Sequence, residues 1–77
     1  MSNNKFVIIL NRIADKCESE HDMSRAIAFR KAADTLNKPE TPVITSGNQA
    51  RMFHGIGLST AKIIDEVIAT GTSNRLR

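Results

Sequence analysis

Apolar positions recur along the chain at helical intervals. Phe6, Ile9, Leu10, Ile13 and Cys17 step by 3, 1, 3 and 4 residues, which lines one face of an α-helix. Asn3 or Asn4 precedes that stripe and can cap it by accepting a hydrogen bond from an unpaired early amide. The stripe fades at Glu18-Ser19-Glu20-His21, a polar run that reads as a loop. A second stripe of Ala26, Phe29, Ala33 and Leu36 steps by 3, 4 and 3 behind a cap at Asp22 or Ser24. Its many alanines let a neighbouring backbone come close. Lys38-Pro39 ends it, because proline disfavours helical geometry in the residue before it.

Residues 37–45, with Pro39 and Pro42, read as a short linker, and Ser46-Gly47 opens a brief turn of helix through Arg51. Phe53-His54-Gly55-Ile56-Gly57 is too tight and glycine-rich for anything but a hairpin. A last helix follows from Leu58 to Thr70, with Ala61, Ile64 and Ile68 facing inward and Gly71 at the left-handed stop. Met23 and Met52 read as core filler. No alternating strand pattern occurs. The expectation is an all-α, four-helix domain over residues 1–77, with a polar, basic tail from Thr72 to Arg77 that frays.

Composition narrows the class. Seventy-seven residues suit one domain, and 40% hydrophobic with 25% charged residues excludes collagenous and disordered chains. The longest apolar run, Phe6 to Leu10, is far short of the roughly 20 residues that span a bilayer, so no membrane role is expected. That run also lacks a signal peptide's length and small-residue cleavage site, so secretion is not expected. Cys17 is the single cysteine, so neither an internal disulfide nor a multi-thiolate zinc site is available. A reducing, intracellular setting is expected. Cys17 and His21 could share a helix face near Glu18, Glu20 and Asp22, but a buried thiol beside a solvated acidic loop is the simpler reading.

The net charge of +3 is unevenly spread. Residues 1–22 carry three basic and four acidic groups, whereas residues 23–77 carry eight basic and four acidic ones. The second part therefore has the field of a surface facing a polyanion. Within it, Gly55 and Gly57 let the backbone turn sharply and approach a partner. The amides of Leu58, Ser59 and Thr60 then begin a helix without intrahelical acceptors. Free amides and the positive helix end suit a phosphate, gripped without reading bases, while a plain glycine turn between two helices accounts for the same residues.

Residues 53–57, with a short helix before and an amphipathic one after, resemble a helix-hairpin-helix (about 46–71), a motif that binds DNA backbones. More specifically, the chain resembles the amino-terminal domain of the family X, polymerase beta-like DNA polymerases. Three blocks carry the likeness: Phe29-Arg30-Lys31-Ala32-Ala33, Ser46-Gly47 through Ala50-Arg51, and Gly55-Ile56-Gly57 with Ile64-Asp65-Glu66-Val67-Ile68-Ala69-Thr70-Gly71. The resemblance implies a repair domain of a DNA-directed DNA polymerase that holds the 5′ side of gapped DNA as a monomer. It implies phosphate contacts from Gly55, Gly57 and Ser59, which the free Thr60 amide joins, with Arg25, Arg51 and Arg75 where the family has lysines. It also implies a monovalent cation, Na+ or K+, on the carbonyls of Arg51, Phe53 and Ile56. Phe29 stands for a tyrosine and His54 for the hairpin proline.

Relatives often excise a 5′-deoxyribose phosphate through a lysine Schiff base. That lysine aligns with Ile63, which has no amine. A supporting lysine position is Ser59. Lys62 is adjacent to Ile63 but turned by about 100° along the helix, with Asp65 and Glu66 at pairing distance in sequence. A binding domain with lyase activity absent or much reduced is therefore expected. Its rivals are a lyase using Lys62 as a displaced nucleophile, a protein-interaction module, and the amino-terminal domain of a crossover-junction endonuclease. Nucleotidyl transfer needs paired carboxylates holding metal ions on a further domain and is not expected of these residues.

Overall fold

The structure, a computed structural model, describes residues 2–76. Four α-helices follow one another: α1 Asn4–Ser19, α2 Met23–Asn37, α3 Gly47–Ala50 and α4 Leu58–Thr70, with a 3-10 turn at Asn74–Leu76. The chain is all-helical, as the periodicity predicts, with no strand among the described residues. α1 and α2 pack along their lengths, and α3, the hairpin and α4 close the far side of the same core.

The two apolar stripes meet as expected. Phe6, Ile9, Leu10, Ile13, Ala14 and Cys17 of α1 are buried against Ala26, Phe29, Ala32, Ala33 and Leu36 of α2. α1 continues two residues past the expected fade, through Glu18 and Ser19. The Ser19 hydroxyl donates to the Lys16 carbonyl (2.7 Å), and Glu18 accepts from Arg30 of α2. Asp22 caps α2, accepting from the Arg25 amide at 3.2 Å, and Lys38 turns extended before Pro39.

Asn3 precedes α1 but does not cap it with its side chain. Its amide is buried and spans the fold instead, donating to the carbonyls of Pro42 (2.9 Å) and Leu36 (3.3 Å) and accepting from the Ile44 amide (2.8 Å). The linker is thereby fastened, and Ile44 enters the core. A buried loop must find partners for its backbone groups, and this demand outweighs the local cap.

α4 buries Thr60, Ala61, Ile63, Ile64 and Val67, whereas Ile68 is about half exposed, contrary to the expected inner face. The docking of α3 sets this orientation. Gly47 lies so close to α4 that a Cβ there would run into the Ala61 carbonyl, and its amide donates to Asp65 Oδ1 at 2.7 Å. Met23 and Met52 are exposed at 52% and 82%, so neither fills the core. The tail is not frayed over residues 72–76. Ser73 is buried, Leu76 packs on the core, Lys16 Nζ donates to the Arg75 carbonyl (2.8 Å) and the Asn74 amide donates to Glu66 (2.9 Å). Arg77 lies outside the described residues.

Candidate functional site

The hairpin is built by short-range bonds. The Phe53 amide donates to the Ala50 carbonyl (3.1 Å) and the Ile56 amide to the Phe53 carbonyl (3.2 Å). Ile56 inserts into the core as its anchor. The Thr35 hydroxyl donates to the His54 carbonyl at 3.1 Å, tying the turn to α2.

The two hairpin glycines answer different demands. Gly55 has φ +94°, a left-handed conformation, and a Cβ there would sit 3.2 Å from Thr35 Oγ1. Glycine is needed for the turn itself. Gly57 has φ −93° and ψ −176°, extended backbone open to any residue, and a Cβ there would meet nothing within 4 Å. The fold gives Gly57 no reason to lack a side chain.

Gly57 is also the cap position of α4, where no side chain accepts from the first turn. The first intrahelical bond is that of the Ala61 amide to the Gly57 carbonyl (3.0 Å). The amides of Leu58, Ser59 and Thr60 ahead of it lack intrahelical acceptors, at the positive end of a 13-residue helix.

These amides border a surface hollow of about 300 Å³ between the hairpin and α2. Gly55, Gly57, Ser59 and Thr60 form one wall, and Arg25 and Phe29 of α2 form the other. Arg75 reaches in from the tail. The structure thus brings together seven of the eight residues singled out as phosphate-binding, separated by up to 50 positions in sequence. Arg51 is exposed at the end of α3 and does not line the hollow.

Phe29 is only 4% exposed, so its ring supports more than it presents: the Arg75 guanidinium carbon lies 5.5 Å from the ring centroid. Such a cation–π contact restrains the side chain without neutralising it. Arg25 pairs with Asp22 at 3.5 Å, with both side chains well exposed, an arrangement that contributes little and leaves the arginine available. Arg30 is committed elsewhere. It bonds Asp15 (2.6 Å) and Glu18 (2.7 and 2.9 Å) on α1, and those carboxylates, Asp15 first, hold its guanidinium above the ordinary arginine range. Among the described residues the acidic first segment thus engages Arg25 and Arg30 of the second.

Ile63 lies in the core at 4% exposure. It also borders, with Lys62, Ser59, Glu66, Asn74 and Arg75, a neighbouring hollow. Among the described residues Lys62 pairs with neither Asp65 nor Glu66, contrary to the expectation. Asp65 Oδ1 accepts from the Gly47 amide and Glu66 Oε2 from the Asn74 amide. Among the described residues, no three metal-ligating side chains cluster, and no helix is long and apolar enough to cross a membrane.

The sequence reading missed two elements of this site. The Asn74–Leu76 turn delivers Arg75, and Thr35 fixes the hairpin. A short 3-10 turn has no periodicity to detect, and a lone threonine on a helix carries no signal of its partner. Comparison with models of protein families matches residues 1–73 to a helix-hairpin-helix domain.

Proposed function

The chain belongs to the helix-hairpin-helix domain family, and from that premise we propose that it binds DNA through backbone phosphates at the hairpin and the start of α4. The observation that carries the reading is the uncapped α4 N-terminus beside the open Gly57, with Arg25 and Arg75 in the same hollow. Backbone amides recognise a phosphate oxygen irrespective of base, so affinity is salt-dependent and nearly indifferent to sequence.

At finer grain the proposed ligand is the 5′ side of a gap or nick in repair, as in the family X polymerases that the chain resembles. A terminal phosphate carries more negative charge than an internal one and suits the convergence of helix end and two arginines. The carbonyls of Arg51, Phe53 and Ile56 suit a monovalent cation, Na+ or K+. Those of Arg51 and Ile56 accept no hydrogen bond among the described residues, and that of Phe53 accepts one. A cation held there would lend positive charge to the phosphate site. Ile63 supplies no amine, so the proposed role is binding and not lyase chemistry.

The test is titration with single-stranded, duplex and gapped DNA, with and without a 5′-phosphate, at two salt concentrations. Gapped, phosphorylated DNA is expected to bind tightest, and Arg25→Glu and Arg75→Glu to weaken all sequences alike. Affinity that survives both substitutions, or that ignores salt, overturns the proposal.

A further inference from the structure

A second cationic hollow adjoins the first across Gly55. It measures about 360 Å³ and is lined by Lys31, Asp34, Thr35, Lys38, His54 and Gly55. Two lysines face one carboxylate. Asp34 stands three residues after Lys31 and four before Lys38, spacings that commonly pair on a helix. It pairs with neither among the described residues, although Arg30, next in sequence to Lys31, is held by two carboxylates. Lys38 at the end of α2 suits the helix dipole, but the dipole accounts for neither Lys31 nor the hollow.

Gly55 is the one residue common to the two hollows. The Thr35–His54 bond at 3.1 Å fixes the turn against α2, so the rims of both hollows are held by the same contact. A chain of phosphates crossing Gly55 leaves one basic hollow and enters the other. Negative charge repeated along a strand complements this arrangement, whereas a single small anion uses only one half of it.

We infer that the hollow of Lys31, Lys38 and His54 is a second phosphate subsite, receiving the nucleic-acid strand as it continues from the α4 N-terminus over Gly55 onto α2. This rests on the DNA-binding reading above and adds the path of the strand. His54 offers a hydrogen-bond donor beside the two ammonium groups.

The experiment measures the salt dependence of binding of the full chain to a short 5′-phosphorylated oligothymidylate. Native protein is compared with Lys31→Ala/Lys38→Ala, with Lys5→Ala as a control that borders neither hollow. All three lysines are exposed. The double variant is expected to lower the magnitude of the log–log salt slope by about 1.4, since each single-strand phosphate contact contributes about 0.7. Backbone amides of residues 31–38 and 54 are expected to shift on titration. Lys5→Ala is expected to change the slope little. A slope unchanged in the double variant, while Arg25→Glu and Arg75→Glu still weaken binding, overturns the second subsite and leaves the first. A Lys5→Ala effect equal per charge also overturns it, because bulk charge then explains the slope. No binding by the native chain sinks the DNA reading itself.

Discussion

Substituting the two hairpin glycines separates folding from binding. Gly57→Val adds a branched side chain at an extended residue whose Cβ position meets nothing within 4 Å. Two small terms then oppose each other in stability. Loss of glycine at a helix cap costs roughly 0.5–1 kcal/mol, while removing glycine's freedom from the unfolded chain stabilises by about 0.4–1 kcal/mol. The net change is expected within about 1 kcal/mol of zero. Binding behaves differently, because the new side chain stands where a phosphate must approach the α4 amides. Loss of one charge-assisted hydrogen bond, about 1.5–3 kcal/mol, weakens affinity roughly 10- to 100-fold. Gly55→Ala inverts the pattern. Its φ of +94° and the 3.2 Å approach to Thr35 Oγ1 make the alanine strained, at about 1–3 kcal/mol of folding stability. Urea unfolding of both variants, paired with fluorescence anisotropy on labelled DNA, reads the two quantities separately. Native-like affinity in a folded Gly57→Val protein refutes the assignment of the hairpin as the binding surface.

Three further outcomes are expected. Asn3→Ala leaves the buried Ile44 amide without its acceptor at 2.8 Å, and the urea midpoint should fall by the equivalent of about 1–3 kcal/mol; an unchanged midpoint means the linker is not held by this side chain. Gly47→Ala forces α3 away from α4, because the new Cβ would also lie 2.9 Å from the Ala61 carbonyl carbon; the loss should reach or exceed the roughly 1–3 kcal/mol of an overpacked core, read as a drop in Tm. On DNA bearing a 5′-deoxyribose phosphate, borohydride should trap no adduct with the native chain. Efficient trapping lost in Lys62→Ala would show Lys62 to be a displaced nucleophile.

The helix that packs mainly on one neighbour was legible from spacing alone. The Phe6 to Cys17 stripe lies chiefly against α2, so the apolar side and the buried side coincide. α4 was less legible, because it is apolar at 61, 63, 64, 67 and 68 and could bury more than one sector. Its rotation is settled by the Asp65 contact with Gly47, 18 residues away. Asn3 shows the same competition, since its local role as a cap gives way to partners 33 to 41 residues distant. The hairpin was legible because glycine restrictions act locally. What the spacing could not supply was the return of the tail, where Lys16 reaches the Arg75 carbonyl across 59 residues. That contact helps to carry Arg75 into the hollow.

The proposed phosphate binding and the lyase chemistry of the polymerases that the chain resembles would draw on different parts of α4, so the first does not require the second. The proposed phosphate contacts are mostly backbone amides, presented by the turn at Gly55 and the uncapped start of the helix. Side chains around them can change, as with His54 in the hairpin, Phe29 on α2 and Ser59 on α4, provided the turn and helix end keep their places. Schiff-base chemistry has no such tolerance, because it needs one amine at one position. At residue 63 the fold places isoleucine in contact with the core, where it contributes to packing. A hydrocarbon side chain there withholds that chemistry and leaves every amide of residues 57–60 in place. The departure at Ile63 therefore weighs against lyase activity without weighing against DNA binding.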